Sequence, residues 1–223
     1  MVFRAVKENG KVLWEEKFPE RKIKEYKEMM GSVMFALQFQ NDPSLCEGGF
    51  VKPEHIRYYS ELPSKVAVYC GVDPAIAVSE RSDYFAAVVI GVQEKTFYVI
   101  EAYQNRLSFK EQVEFLESLC LRHRPLRVAV ETNAYQRVLA EMLCDRGVPV
   151  RAVQQVESKE KRIIRLAALF ETGRVYLKKE QRELKEQILS YPDSEYDDLL
   201  DALSLSVQTA SIKKTEYSLI AGL

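Results

Sequence analysis

From Lys65 onward, short apolar runs alternate with segments of helical periodicity. The first run, Val66 to Val72, is apolar throughout, which is typical of a strand buried on both faces of a sheet. The runs "DYFAAVVIGV" and "TFYVIEAYQ" follow, separated by three polar residues at 93–95, and predict an antiparallel meander. A chain that begins with three such strands and then alternates helix and strand is restricted to a mixed α/β sheet.

The second half of the chain supplies the parallel part of this sheet. Ser108 caps a helix that ends before Pro125, and the strand "LRVAVE" follows. Helices near 135–145, 158–171, 181–190 and 195–212 are interleaved with the strands "VPVRAV" and "GRVYL". Right-handed crossovers would make these strands parallel, with ligands expected beyond the strand ends. The predicted fold class is therefore α/β, with three antiparallel strands, then parallel strands, and flanking helices.

Residues 1–62 have a different character. They contain one charged amphipathic helix from about Glu20 and then an extended stretch rich in Pro and Gly. This pattern predicts a connector that lies against a domain spanning 63–212, followed by a C-terminal tail at 213–223.

Composition excludes some classes of protein. The 223 residues carry 32 basic and 33 acidic side chains, so no net charge attracts nucleic acid or a membrane, and DNA binding would need a local patch. The four cysteines form no CxxC pair, which favours a reducing compartment. Because the chain has neither an apolar run of about 18 residues nor the apolar core of a signal peptide at its start, we expect a cytoplasmic protein without membrane contact.

Two carboxylates stand at the ends of apolar strands. Asp73 follows the first strand, and Glu131 ends "LRVAVE". A buried strand excludes charge from its interior, so each carboxylate belongs at a strand tip, where solvent or a metal can reach it. Each also has a simpler explanation, since Asp73 precedes Pro74 as in a turn and Glu131 precedes a helix, whose dipole favours an acid.

The third candidate is the helix that begins in "SEYDDLLDALSL" (194–205). At 100° per residue Asp197 and Asp201 share a polar stripe with Ser204 and Gln208, which predicts a solvent face. Asp198 lies on a stripe that is otherwise mostly apolar, where a carboxylate needs a partner. Asp197 also matches a capping box with Ser194.

Oxygen ligands from two strand tips and a helix suit Mg²⁺ or Mn²⁺. Zinc is less suited, because the only histidines are His55 and His123 and neither is near a carboxylate motif. Two ions held by such acids would support in-line cleavage of a phosphodiester with a metal-bound water as nucleophile.

An acid on the first strand, another on the fourth and a third on a late helix is similar to the layout of ribonuclease H-like nucleases. The segments "VYCGVDPAIAVSERSDYFAAVVIGV", "VAVETNAYQ", "KRIIRLAALFETGRVYL" and "YDDLLDAL" together resemble the C-terminal nuclease domain of phage large terminase subunits. The upstream "LWEEKFPERKIKEYKEMMGSVMFALQFQNDP" resembles the segment that joins the terminase motor to its nuclease. The resemblance runs from about residue 13 to 210.

This resemblance implies a metal-dependent endonuclease that cuts concatemeric double-stranded DNA during packaging, in the cytoplasm of the phage's host cell. Its implied partners are the motor (ATPase) domain, the small terminase subunit and the portal. Asp73, Glu131 and Asp198 match the catalytic acids and would hold Mg²⁺ or Mn²⁺. Asp197 would assist a second ion, against its capping interpretation, and Asp83 would support the site. Asp201 is a weaker supporting candidate, since its stripe predicts solvent exposure.

The sequence departs from the family in one respect. None of its nine glycines belongs to a GxxxxGK[ST] motif, so this chain is not expected to hydrolyse ATP. We expect it to be either a piece of a longer protein or a natural fragment of prophage origin.

Candidate DNA contacts are Lys161, Arg162 and Arg165 on one side of their helix and Arg81 after the first strand. A solvated amphipathic face is the simpler explanation of the helical cluster and is favoured by the pattern alone, whereas phosphate contacts gain support from the resemblance. Because the domain is almost neutral, we expect it to bind and cut DNA weakly without its motor and partner subunits.

Two other functions remain open at this stage. Another ribonuclease H-like enzyme, such as a Holliday-junction resolvase or an RNA:DNA-hybrid nuclease, would use the same chemistry but would not need the connector. A catalytically silent docking module for the motor or portal would fold without cutting DNA.

Overall fold

The computed structural model describes residues 3–44, 49–75, 84–131, 134–155 and 157–211. These residues form one seven-stranded sheet in the order β1-β7-β4-β3-β2-β5-β6. The strands are β1 (Arg57–Tyr58), β2 (Ala67–Asp73), β3 (Phe85–Gln93), β4 (Thr96–Asn105), β5 (Arg127–Glu131), β6 (Val150–Val153) and β7 (Val175–Leu177). The α-helices are α1 (Glu20–Phe35), α2 (Phe109–His123), α3 (Ala134–Asp145), α4 (Lys159–Glu171), α5 (Arg182–Ser190) and α6 (Asp198–Ser211).

The sheet is mixed, as the sequence predicts. Strands β2, β3 and β4 are antiparallel, β5 and β6 run parallel to β2, and β7 runs parallel to β4. The edge strand β1 pairs with β7 and was not predicted, because two exposed residues give no periodicity. None of the helices in the described part of the chain is long and apolar enough to cross a membrane.

The two faces of the sheet bury separate cores. On one face, Cys70 and Val72 of β2 pack with side chains of α2 and α3 such as Leu116 and Leu139. On the other, β3 and β4 pack with α4, α5 and α6. Helix α6 lies over β2, where Gly71 meets its backbone at Ala202. The first face is structural, and the second carries the carboxylates.

The N-terminal segment packs against the rest of the chain. Gly31 adopts a φ of 76° inside α1 and packs closely on Ala168 of α4. Next to it, Ser32 donates from its backbone N–H and its hydroxyl to Glu171 Oε2, at 2.8 and 2.9 Å. Phe50 and Val51 enter the main core. The boundary at residue 62 and the role of 1–62 as a motor linker stay predictions, and the tail at 213–223 lies outside the described residues.

Candidate metal centre

Asp73 and Glu131 project from the same face of the sheet. Strands β2 and β5 are parallel and in register up to the pair Val72 and Val130, so the two acids are the next residues along. Side chains alternate between faces, which puts Asp73 on the side of Gly71, the side on which α6 lies. Glu131 is paired with Val153, which packs with Leu205 of α6. Both acids therefore end their strands beneath α6.

Helix α6 brings two more carboxylates to this edge from its first turn. Asp198 is partly buried and accepts a hydrogen bond from Gln104 Nε2 at 3.1 Å. Its stripe continues through Ala202, Leu205 and Thr209, which are fully buried, as the sequence predicts. Asp201, three residues further along the same turn, is only 7% exposed.

The prediction that Asp201 and Ser204 face solvent is wrong. Ser204 is 6% exposed, and Asp201 is covered by α4. Helix α6 has the sheet on one side and α4 and α5 on others, so even its polar stripe is enclosed. Periodicity separates polar from apolar stripes, but it does not show that a second layer of helices covers the polar one.

Burial and mutual repulsion raise the pKa of three carboxylates in this cluster, those of Asp73, Glu131 and Asp201. Burial raises the pKa of Asp73 well above its ordinary value, and the negative charges of Asp201, Asp198 and Glu131 raise it further. Burial also raises the pKa of Glu131 and of Asp201, although nearby cations oppose the rise. A buried group of acids that repel one another in this way is stabilised by positive charge.

Helix α4 supplies positive charge through Lys159 and Arg162. Lys159 Nζ lies 2.6 Å from Asp197 Oδ2 and also forms an ion pair with Asp201 Oδ2. Burial by itself would lower the pKa of Lys159, but its hydrogen bonds to these two aspartates raise it overall. Arg162 Nη1 lies 3.4 Å from Asp201 Oδ1. The ammonium and the guanidinium thus neutralise part of the acid cluster.

The placing of Arg162 on a solvated, DNA-facing side of α4 is wrong, because this side chain is 7% exposed and turned towards Asp201. The other two members of that predicted patch, Lys161 and Arg165, are exposed, and Arg165 forms an ion pair with Glu157. Arg81 and Asp83, the predicted phosphate contact and supporting acid, lie outside the described residues.

The capping box predicted for Ser194 and Asp197 is also absent. Helix α6 begins at Asp198, three residues later than expected, and Asp197 O accepts its first helical hydrogen bond from Asp201 N at 2.9 Å. The Ser194 hydroxyl is buried and finds no hydrogen-bond partner among the described residues. The Asp197 carboxylate instead binds Lys159, which leaves it beside the acid cluster.

Three residues of the site are not predicted by the sequence pattern: Lys159, Gln104 and Gln187. Gln187 did leave a signal, since it lies on the buried stripe of α5 with Leu184 and Ile188, where an amide needs partners. Nothing in the local pattern of α4 or β4 distinguishes Lys159 or Gln104 from other polar residues.

The donor set suits a hard divalent cation, since all its acidic members offer oxygen. Asp201 Oδ1 is buried and makes no hydrogen bond within the described part of the chain, so it lacks a full set of partners. Among the residues that the structure describes, no three Asp, Glu, His or Cys side chains are arranged to share one ion. The carboxylates of Asp197 and Asp201 turn instead to Lys159 and Arg162, cations that a bound metal ion would have to displace or rearrange.

Comparison with known protein families identifies the family of this chain. The model of the terminase RNaseH-like domain matches residues 70–209, which is more than half of the chain. The chain belongs to this terminase family. The match spans Asp73 and Glu131, and it includes the charged residues that α4 and α6 bring to the site.

Solved structures show the same fold at low identity. The nuclease of the large terminase of thermophilic phage G20c is similar over 73% of this chain and 98% of its own, with bound cobalt (15% identity, TM-score 0.57) or magnesium (16%, 0.55). The large terminase of a second thermophilic bacteriophage is similar over 85% of this chain and 52% of its own (15%, 0.66). The human cytomegalovirus terminase nuclease domain, soaked with manganese and inhibitor-bound, is similar over 72% of this chain and 95% of its own (18%, 0.55).

Comparison with curated proteins finds no match. The family model and the solved structures together show that this terminase domain has the fold of terminase nuclease domains. Its acid cluster lies at one edge of the sheet and includes the charged side chains of Lys159 and Arg162.

Proposed function

We propose that this chain is a metal-dependent endonuclease of a viral DNA-packaging terminase, which hydrolyses phosphodiester bonds of concatemeric double-stranded DNA. One observation carries the proposal: Asp73, Glu131, Asp198 and Asp201, from two strand tips and one helix, meet at one sheet edge although their burial and mutual repulsion make this costly. Carboxylates that are held close together despite burial and mutual repulsion are typical of a cation-binding site. The cobalt and magnesium bound by the similar large terminase nuclease of phage G20c support the same conclusion.

Asp73, Glu131 and Asp198 would hold Mg²⁺ or Mn²⁺, two ions in all, with Asp197 and Asp201 beside them. Bound ions would supply a nucleophilic water and stabilise the charge that develops on the phosphate. The residues of the chain do the positioning. The ends of β2 and β5 fix the spacing of Asp73 and Glu131, Gln104 holds Asp198, and Lys159 balances Asp197 and Asp201.

DNA would approach along α4. Lys161 and Arg165 are exposed on this helix, whose first residue is Lys159, so their charges lie close to the acid cluster. Both residues would contact phosphates rather than bases, which gives affinity without sequence preference. With a net charge of −1, the domain would depend on its motor domain, small terminase subunit and portal to hold DNA firmly.

Cleavage of supercoiled plasmid in Mn²⁺ or Mg²⁺ tests the proposal. Asp73→Asn, Glu131→Gln and Asp198→Asn keep side-chain size but remove charge, and each is expected to lower the nicking rate on the order of a hundredfold. Asp145→Asn, at the exposed end of α3, is the matched control and should cut normally. A folded parent that never nicks DNA with either metal contradicts the proposal and favours a docking module. A preference for four-way junctions over plasmid would point to a resolvase.

A further inference from the structure

Two glutamines connect Asp198 to the backbone of its own helix. Gln104 Nε2 donates to Asp198 Oδ2 at 3.1 Å. Gln187 Nε2 donates to Gln104 Oε1 at 2.7 Å. Leu199 N donates to Gln187 Oε1 at 3.0 Å. These three hydrogen bonds form a relay that starts at a backbone N–H in the first turn of α6 and ends at a carboxylate of the same turn.

The direction of this relay follows from its starting point. A backbone N–H can only donate, so the oxygen of the Gln187 amide must face Leu199, and its NH₂ group faces Gln104. Gln104 must then accept through Oε1 and present its own NH₂ to Asp198. Reversing either amide would set two donors or two acceptors against each other. The arrangement thus aims an N–H, and not an oxygen, at the Asp198 carboxylate.

Both glutamines are placed by the fold. Asp73 pairs with Ala86, and Ala86 pairs with Gln104, so Gln104 lies in the same row across the sheet as Asp73. The small side chain of Ala86 keeps the space between them open. Gln187 is 8% exposed, and both ends of its buried amide are bonded, which offsets the cost of burying it.

We propose that Gln104 and Gln187 are positioning residues that hold the Asp198 carboxylate in its cation-binding orientation. This inference rests on the cation site of the proposed nuclease and not on its cleavage of DNA. Gln104 contacts Asp198 directly, and Gln187 acts through Gln104 by fixing the direction of its amide. Gln187 also satisfies one of the free N–H groups at the start of α6, so it ties the position of the helix to the orientation of the carboxylate. Partners of this kind, one shell away from a metal, commonly change metal affinity by about 10–100-fold when removed.

Calorimetric titration of the whole chain with Mn²⁺ tests the relay without relying on cleavage. Gln104→Met keeps the length of the side chain and removes the donor to Asp198, so we expect about tenfold weaker Mn²⁺ binding. Gln187→Met should weaken binding in the parent but have no further effect in the Gln104→Met background, since the connection is already broken. At saturating Mn²⁺ the cleavage rate of Gln104→Met should return close to that of the parent.

Gln181→Met is the matched control. Gln181 sits at the start of the same helix as Gln187 and makes equivalent bonds, accepting from Lys178 N at 2.9 Å and donating to Val99 O at 3.1 Å. Its replacement should lower thermal stability and leave Mn²⁺ affinity unchanged. Because Gln104 is partly exposed, Gln104→Met is expected to fold. Its Mn²⁺ affinity tests the positioning role of Gln104 even where Gln187→Met fails to fold.

Three results overturn the relay. Unchanged Mn²⁺ affinity in Gln104→Met would mean that the two amides only cap α6 and do not position Asp198. The nuclease proposal would be unaffected. Equal weakening by Gln187→Met in both backgrounds would mean that loss of the cap loosens α6 as a whole. A folded parent that binds no Mn²⁺ would remove the nuclease proposal and the relay with it, whereas one that binds Mn²⁺ but cuts no DNA would remove the nuclease proposal only.

Discussion

The backbone carbonyl oxygen of Ala202 lies so close to Gly71 that a β-carbon at position 71 would overlap it. This contact sets how closely α6 approaches β2. Asp198 and Asp201 lie in the turn just before Ala202, and Asp73 lies two residues after Gly71. The absence of a side chain at position 71 therefore controls the distance between the carboxylates of the helix and that of the strand.

Gly71→Ala is expected to lower the free energy of unfolding by about 3 kcal/mol, since the new methyl group meets backbone atoms that cannot turn away. Gly91→Ala is the control, because the nearest atom there is Val66 Cγ2, a side-chain atom 3.0 Å from the new carbon. We expect a smaller loss of about 1 kcal/mol. Denaturant unfolding measures both, and equal losses would show that α6 is free to move away from the sheet.

Asp201→Asn should be far more damaging than Asp197→Asn. The Asp201 carboxylate is 10% exposed and pairs with Lys159 and Arg162, so its loss leaves buried positive charge. Burial raises the pKa of Asp201, so removal of its charge offsets part of this cost, and the net loss is about 2 kcal/mol. The Asp197 carboxylate is 36% exposed, and its loss should cost less than about 1 kcal/mol. Urea unfolding without metal compares them. A similar cost for the two variants would contradict the enclosed position of Asp201.

Lys159→Met removes the ammonium shared by Asp197 and Asp201. Without metal, the free energy of unfolding should fall by about 2 kcal/mol, because hydrogen bonds to charged groups are lost and the acids repel one another. Added Mn²⁺ should recover most of that loss by taking over the neutralising role. Thermal denaturation with and without Mn²⁺ measures this recovery. Lys161→Met, which changes an exposed neighbour, serves as the control.

The raised pKa of Asp73 predicts a pH dependence of stability. A carboxyl whose pKa is higher in the folded state binds its proton more tightly there, so its contribution favours folding at low pH and is lost as the pH rises through the folded pKa. The amide of the Asp73→Asn variant cannot ionise and escapes this loss. Without metal, this variant should therefore be more stable than the parent at neutral pH, with a difference that disappears towards the ordinary pKa of 3.8.

Urea unfolding between acidic and neutral pH measures that difference. Mn²⁺ should reverse the order at neutral pH, because it binds the parent and stabilises it. A difference that stays constant with pH would mean that Asp73 is already ionised without cost in the folded chain.

Local pattern was enough to predict most of the fold. The apolar run that ends at Asp73 predicts a buried central strand, and the same logic applies to the strand that ends at Glu131. Both acids had to stand at strand tips because a strand buried on two faces excludes charge. The apolar stripe of Asp198 likewise predicted the side of α6 that faces the sheet.

The partners of the acids were decided only by tertiary structure. Lys159 meets Asp201, and Gln104 meets Asp198, across elements that are far apart in the chain. Periodicity reports which face of an element is apolar, and it contains no information on which other element covers the polar face. Asp201 shows the difference: the sequence determines that it lies on a polar stripe, and the packing of α4 over α6 turns that stripe into a buried, charge-paired interior.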